Sequence, residues 1–586
     1  VKYVFLAVLF LLTAASVATW WSMPDAGTGT PVMYWVTDAN PARGQQIELF
    51  HRWQLKNGHF DATTAADASA AKAMVAHFNA PAIRRASPII QSGETPETAT
   101  LTLDKLAADG FDFASLRYPV TLRTPKLEMR VDTGNNDNTK KIVQSVSGVG
   151  GDVMDLYGGG QVRQLAEMGV VRDVTADAAR LGFGLDKTYP AAAAEILIPQ
   201  ADGSTPQFAF PCNIFSAAFI VNKDAFDRAG VATPPRQWTC DTFERIGREW
   251  VAKANASGGP RAFFADTIDH NILRRSYGVS DLNESLTAAA LDDPRAVAAM
   301  QRYYDWTYRD RLLPSGADRA SFTSDSGYGG GNPQLFAAGR FALLNTGRHL
   351  LITFRQFNID RVKRGERPMR LAVAELPYAE FPNTMIQSRS AVVYAGSPRP
   401  DLAVLFQAFL ASDDYNMQVV RDADSLPPGP AYAKRPEYLT PPPDPAAGIY
   451  PESENEVHGP FAEVALERAV GWSFSPFVQH SVVTKEVDLV VDELMNNRKT
   501  AEQAMRDAAR RIDAEIARNL QEKPAMRPAY DAAVRRQQQI DAMKAALVAF
   551  ELKSPGTPVP HELRIPLNLI DNYFHRAYYR HKGWVK

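Results

Sequence analysis

The chain has 586 residues, enough for three or four folded units. Its 64 Lys and Arg against 66 Asp and Glu leave a net charge of −2, so no basic footprint marks it for nucleic acid. A hydrophobic share of 45% with a mean hydropathy of −0.25 excludes both a wholly disordered chain and a polytopic membrane protein. Two cysteines, Cys212 and Cys240, are too few for a disulfide scaffold or a cysteine-rich metal cluster.

At the N-terminus Lys2 precedes an apolar run over 4–12 and then small residues over 13–18. That order fits a secretory signal cut after Ala18. The wider stretch 3–21, about 29 Å long as a helix, equally fits an uncleaved membrane anchor; a buried core helix is the plain alternative. Export is the expectation in the first two cases. Residues 24–31 read as a linker. The apolar, β-branched run 32–36 reads as a buried strand, and Pro41-Ala42 opens a helix. No motif emerges from 58 to 124. Strands are expected at 127–131 and 152–157, with a helix over 138–147 between them and another starting at 162. Strands alternating with helices argue for α/β layers around a largely parallel sheet. Further on, strands are expected at 219–221, 371–374 and 391–394. Helices are expected at 224–229, 239–254, 295–309, 333–338, 401–410, 482–495, 500–520 and 529–552. The Pro-rich stretch 427–451 reads as a surface excursion.

Motifs of catalysis are missing: no Walker sequence, no G-x-G-x-x-G after a strand, no H-E-x-x-H and no G-x-S-x-G. The ten His have no metal-ligand spacing. Asp132, Asn135, Asn136, Asp137 and Asn138 crowd one loop, either as a Ca²⁺ site or as a solvated turn, without the EF-hand order. Asp413-Asp414 read as helix-end charges. Cys212 and Cys240 are open to pairing in an exported protein or to remaining free.

Four segments resemble the family 1 extracellular solute-binding proteins of ABC transporters, the maltose-binding-protein-like group. They are Val32-Met33-Tyr34-Trp35 with its helix; 125–174, ending in Met168-Gly169-Val170-Val171-Arg172-Asp173-Val174; Phe210-Pro211-Cys212-Asn213 through Phe219-Ile220-Val221-Asn222-Lys223-Asp224 to Trp238-Thr239; and Phe336-Ala337-Ala338-Gly339-Arg340-Phe341-Ala342-Leu343-Leu344. The resemblance covers about 31–57 and 125–520. It departs at Cys212 and His349, where the family usually carries aromatic rings. It implies a two-lobe α/β periplasmic-binding-protein type II fold with an N-terminal signal or anchor helix and an extra C-terminal helical tail. Lobe one would hold 31–211 and 378–425, with 58–124 inserted, and lobe two 213–377 and 426–520. Residues 1–30 would be signal or anchor and linker, and 521–586 a C-terminal extension. The implied function is delivery of a solute, a carbohydrate by expectation, to ABC permease subunits by hinge closure. Neither catalysis nor a cofactor is expected, and the compartment is the periplasm or cell surface. The rival readings are an extracytoplasmic glycoside hydrolase and an anchored sensory or structural binding protein.

For a sugar ligand a site needs aromatic faces beside polar side chains. Trp35 and Asp38 close a strand end, the place where open α/β sheets bind ligands, although Trp35 reads equally as core. Tyr157 and Gln161 flank Gly158-Gly159-Gly160, which would let backbone approach a ligand. Asn213 is a candidate at a lobe crossing or a turn cap. Arg348 and His349 follow a strand, as ligand groups or as a surface pair. Trp472 is flanked by Ser473, Ser475 and Pro476. Trp238 reads as packing at a helix start. The tail offers Arg576, Arg580, Lys582 and Lys586 among Tyr573, Phe574, Tyr578, Tyr579 and Trp584, as a membrane or permease contact or as rings docked back onto a lobe.

Overall fold

The computed structural model describes residues 32–40, 42–56, 98–99, 128–199, 204–322 and 331–586. The expected signal or anchor at 2–18 and most of the 58–124 insertion lie outside the described residues. Among the described residues no helix is long and apolar enough to cross a membrane. The chain divides after Gly134 into two compact units.

In the first unit, β1 (Val32–Val36) is followed by α1 (Ala42–Lys56), β2 (Thr98–Ala99) and β3 (Glu128–Asp132). β1 pairs parallel with β3, and β2 antiparallel with β3. Met33, Trp35 and Val36 are buried with Ile47 and Phe50 of α1. The β-branched strand and the apolar helix stripe thus cover each other.

The second unit opens with α2 (Asn138–Val146), β4 (Val153–Tyr157) and α3 (Gly159–Glu167). Asp137 caps α2 by accepting from Lys140 N at 3.1 Å. Among the described residues no cluster of acidic, His and Cys side chains could hold a metal ion. Next come β5 (Ala209–Ser216), β6 (Ala218–Asn222), α4 (Cys240–Ala254), β7 (Phe263–Ala265), α5 (His270–Ser276) and α6 (Pro294–Tyr308). They lead to β8 (Phe341–Thr346), β9 (Leu371–Ala374), β10 (Thr384–Val393), α7 (Pro400–Leu410) and α8 (Asp413–Asp422). β11 (Ala469–Val470), α9 (His480–Met495), α10 (Ala501–Glu522), α11 (Arg527–Lys553) and α12 (Tyr573–His581) complete the unit.

Pairing in this unit is mixed, which corrects the expected largely parallel sheet. β10 runs antiparallel to β4 and to β5, and parallel to β11. In a second sheet β6 is antiparallel to β8 and β9, while β7 joins β8 in parallel. β10 is a ten-residue strand, although its centre, Gln387-Ser388-Arg389-Ser390, is polar. Ser388, Arg389 and Ser390 are buried there because Arg389 donates to Asp155 at 2.7 Å and Asp424 at 3.2 Å, and Ser388 to Glu195 at 3.2 Å. β5 contains Pro211, and the register shift opposite Arg389 and Ser390 absorbs the missing donor. The expected lobe crossing near Cys212 is therefore continuous strand at that point. Both cysteines are buried, and no disulfide joins them.

The helices form where caps and stripes agree. Thr239 caps α4 by accepting from Thr242 N, and Phe243, Ile246, Trp250 and Val251 face inward at helical spacing. Trp238 is buried, donates from Nε1 to the Glu375 carbonyl at 2.7 Å and packs edge-on against Phe219 and Phe243. Thr500 and Gln503 close a capping box at the start of α10. Asp413 and Asp414 sit in the first turn of α8, where the dipole favours them. The Pro-rich stretch is only partly a surface excursion, since Tyr438 is fully buried. The C-terminal rings are docked: Phe574, Tyr578, Tyr579 and Trp584 are buried in one apolar cluster with Phe381, Val470, Ile540 and Leu547. Only Tyr573, 40% exposed, faces solvent among the expected tail aromatics.

Candidate functional site

A cleft of about 1070 Å3 opens in the second unit. Its polar and aromatic lining comes from three places in the chain. The first is the turn from β4 into α3, with Tyr157, Gln161 and Gln164. The second is Asp269, Asn271 and Asp281 around α5, together with Gln387 of β10. The third runs from Trp472 and Phe474 through His480 and Asp488 of α9 to Asn519 of α10.

The β4–α3 turn depends on its glycines. Gly158 has φ +84, a conformation that L side chains rarely adopt. A Cβ on Gly160 would come within 2.6 Å of the His480 ring, so that ring approaches because the side chain is missing. The turn holds Tyr157 at the strand end, 42% exposed. Gln161 reaches back to accept from Tyr157 N at 3.0 Å, and the Lys141 ammonium lies 5.5 Å from the Tyr157 ring centroid. Behind the turn Glu195 is fully buried. Burial raises its carboxyl to about 7, although donation from Ser388 and the Gly159 N–H opposes the shift.

Trp472 offers one ring face, because the other is taken: the Arg275 guanidinium lies 4.4 Å from the ring centroid. His480 sits 5.8 Å from Trp472 and 4.9 Å from Phe474, edge-on to the latter. Burial lowers the His480 pKa and so favours its neutral ring. Two carboxylates of the cleft, Asp269 and Asp281, are already engaged. Asp269 caps α5, accepting from Asn271 N at 2.8 Å and Ile272 N at 3.1 Å. Asp281 accepts from Arg274 at 2.5 Å; burial alone would raise its pKa, and the guanidinium reverses this to a net lowering.

Of the residues expected at the site, Tyr157, Gln161 and Trp472 line this cleft together. The others are placed differently. Trp35 is fully buried in the first unit with the Arg43 guanidinium 5.7 Å from its ring, so it has no free face for a sugar. Asp38 is bonded to the same Arg43 at 2.8 Å. Asn213 is buried within β5 opposite Arg389 and is not a turn cap. Arg348 is buried, donating to His458 at 2.9 Å and to the carbonyls of Ser425 and Val420 at 2.7 and 2.8 Å; it does not line this cleft and is not a surface residue. His349 lies half-buried against Phe215, 6.0 Å between rings. Phe474, Gln164, Gln387, His480 and Asn519 were not anticipated. Only Phe474 had a signal, lying two residues from Trp472 in the same Ser- and Pro-bearing run.

Residues 123–417 match the family of bacterial extracellular solute-binding proteins. That match spans half of the chain, and the chain belongs to this family. A comparison with curated proteins finds no match. Solved structures show the same two-lobe α/β fold. The ABC substrate-binding protein Lmo0181 from Listeria monocytogenes, in complex with cycloalternan, superposes with a TM-score of 0.53 at 21% identity over 67% of this chain and 93% of its own. Maltose-bound MalE3 of T. maritima gives 0.53 at 16% identity, over 82% and 98%. UgpB from Mycobacterium tuberculosis, in complex with glycerophosphocholine, gives 0.51 at 14% identity over 68% and 93%.

Proposed function

We propose that this solute-binding protein captures a carbohydrate in the cleft and delivers it to the permease subunits of an ABC importer. The observation that carries the reading is the lining itself. The rings of Tyr157, Trp472 and Phe474 line it together with the amides of Gln161, Gln164, Asn271, Gln387 and Asn519. Rings suit the apolar faces of a pyranose, and amides its hydroxyl edge. The volume is at the upper end for small-molecule sites and leaves room for an oligosaccharide. The sugar complexes of the Listeria and T. maritima proteins support the same ligand class. Export to the periplasm or cell surface accords with the family, and a two-lobe division near 378 and 426 would let closure report occupancy to the membrane partner.

Asp281 does not suit the glycoside hydrolase reading, and Glu195, whose carboxyl is raised to about 7, does not line the cleft. A general acid needs its proton near pH 7, and Asp281 is ion-paired with a lowered pKa. A thermal-shift screen of the whole chain over mono- and oligosaccharides, polyols and amino acids tests the proposal. A rise in Tm with a sugar, and no turnover of a chromogenic glycoside, is expected. A response to amino acids alone would overturn the ligand class, and sustained turnover would overturn the binding role.

A further inference from the structure

We propose that residues 527–586 form a fixed back wall for the ligand cleft, with Phe574 and Arg275 as positioning residues that set the pose of Trp472. The proposal rests on the carbohydrate reading for its affinity measurement only. Two lining segments of the cleft, one around Asp281 and one over 472–479, are both tied from behind by this C-terminal segment. The Arg275 guanidinium lies between two rings, 4.4 Å from Trp472 on the cleft side and 5.6 Å from Phe574 on the tail side. Arg275 is itself 4% exposed, and it donates to the Val470 carbonyl at 3.4 Å, two residues before Trp472. The Trp472 pose is therefore transmitted to Phe574 of α12 through one rigid, planar cation.

Hydrogen bonds repeat the arrangement. Tyr573 N donates to Ser473 Oγ at 2.7 Å, beside Trp472. Asn572 Nδ2 donates to the Leu282 carbonyl at 3.0 Å, and the N–H groups of Asp571 and Asn572 both reach the Glu284 carbonyl at 2.9 Å. The buried Glu284 carboxylate accepts from Lys544 at 2.6 Å, Gln537 at 2.7 Å and the Tyr579 hydroxyl, all tail residues. Tyr530 of α11 packs edge-on against Phe477, 5.0 Å between rings. A loop pinned at this many points is pre-organised, so less ordering is left for the ligand to impose.

Amide hydrogen exchange and calorimetry on the full chain test this with Phe574→Ala, Ser473→Ala and, as a control, Leu547→Ala in the same apolar cluster. In Phe574→Ala the 471–479 amides should exchange at least tenfold faster, and in Ser473→Ala at least threefold, with 153–167 unchanged in both. Affinity for maltotriose, used as the probe, should fall at least fivefold in Phe574→Ala. Leu547→Ala should lower Tm without selective exchange in 471–479. Wild-type exchange rates at 471–479 in both test variants, or equal acceleration in the control, would overturn the proposal. If the wild type binds no maltotriose, the probe and the carbohydrate reading come into question, while the exchange result still decides the role of the wall.

Discussion

Arg348 donates from Nε to Nδ1 of His458 at 2.9 Å, and this one bond fixes the histidine tautomer. With Nδ1 an acceptor, the proton of the neutral ring sits on Nε2, which faces Glu454 Oε2 at 2.9 Å. Glu454 in turn takes both prongs of Arg355 at 2.7 and 2.9 Å. Burial lowers His458 to about 4, helped by the Arg348 charge. Glu454 lies at about 2, because the bonds from Arg355 and His458 outweigh its burial.

Acid should therefore destabilise the protein over two overlapping pH ranges. The unfolded histidine gains its proton near 6.5 while the folded one resists to about 4, so stability complete above pH 6.5 drains away between those values. The Glu454 contribution is present above 4.5 and is lost as pH falls to about 2. Denaturant titrations from pH 7 to 3 should show the slope, and His458→Gln should flatten its upper part. An unchanged slope in that variant would refute the assignment.

Arg348→Leu should cost on the order of 3–5 kcal/mol in stability, because it leaves buried acceptors without their donor. At a temperature where the variant is folded, ligand affinity should match wild type. A selective affinity loss would return Arg348 to the binding site.

Glu195 acts with the opposite sign. Its carboxyl is raised from 4.5 to about 7, so the folded state is free of penalty below 4.5, loses stability progressively up to 7, and carries the full penalty above. Glu195→Gln should raise Tm more at pH 8 than at pH 4, measured by scanning calorimetry. An equal change at both would refute it.

Trp472→Ala should weaken sugar binding about 5- to 150-fold, the equivalent of about 1–3 kcal/mol for one buried ring face. Trp35→Ala should instead cost about 3–5 kcal/mol of stability, because its ring is in the core. Calorimetry with the first sugar identified separates the two. Equal affinity losses would mean that Trp35 also reaches ligand.

Burial pushes the Cys240 thiol up to about 12, and Cys212 is enclosed within β5. Ellman's reagent should label neither in the native protein and both in guanidinium. Fewer than two thiols after unfolding would reveal a disulfide.

The elements legible in the sequence were those whose pattern is local. Apolar runs such as 153–157 ending at three glycines, or the capped stripe of α4, carry their own boundaries. Only the apolar end of β10, 391–393, was legible, because its middle is polar and the partners that make burial tolerable, Asp155 and Glu195, come from more than 190 residues earlier. β5 was hidden by Pro211, which only the register shift in β10 accommodates. At the site, Tyr157, Gln161 and Trp472 stand beside turn residues that advertise an exposed position. Arg348 advertised the same, yet its acceptors lie 71 to 110 residues away and draw it inside. Residue type alone does not distinguish a cation that meets ligand from one that ties loops together.

The clasp between Asn572 and Leu282 also sets a timetable. These partners are 290 residues apart, and at about 5–20 residues per second roughly 15–60 s of synthesis separates them. Until the C-terminal segment emerges, the segment around Asp281 lacks the bonds from Asn572, and the buried Glu284 carboxylate lacks in turn Gln537, Lys544 and Tyr579. Contacts this distant form late and slowly. For about half of its synthesis a nascent chain therefore carries its ligand-facing side without these contacts.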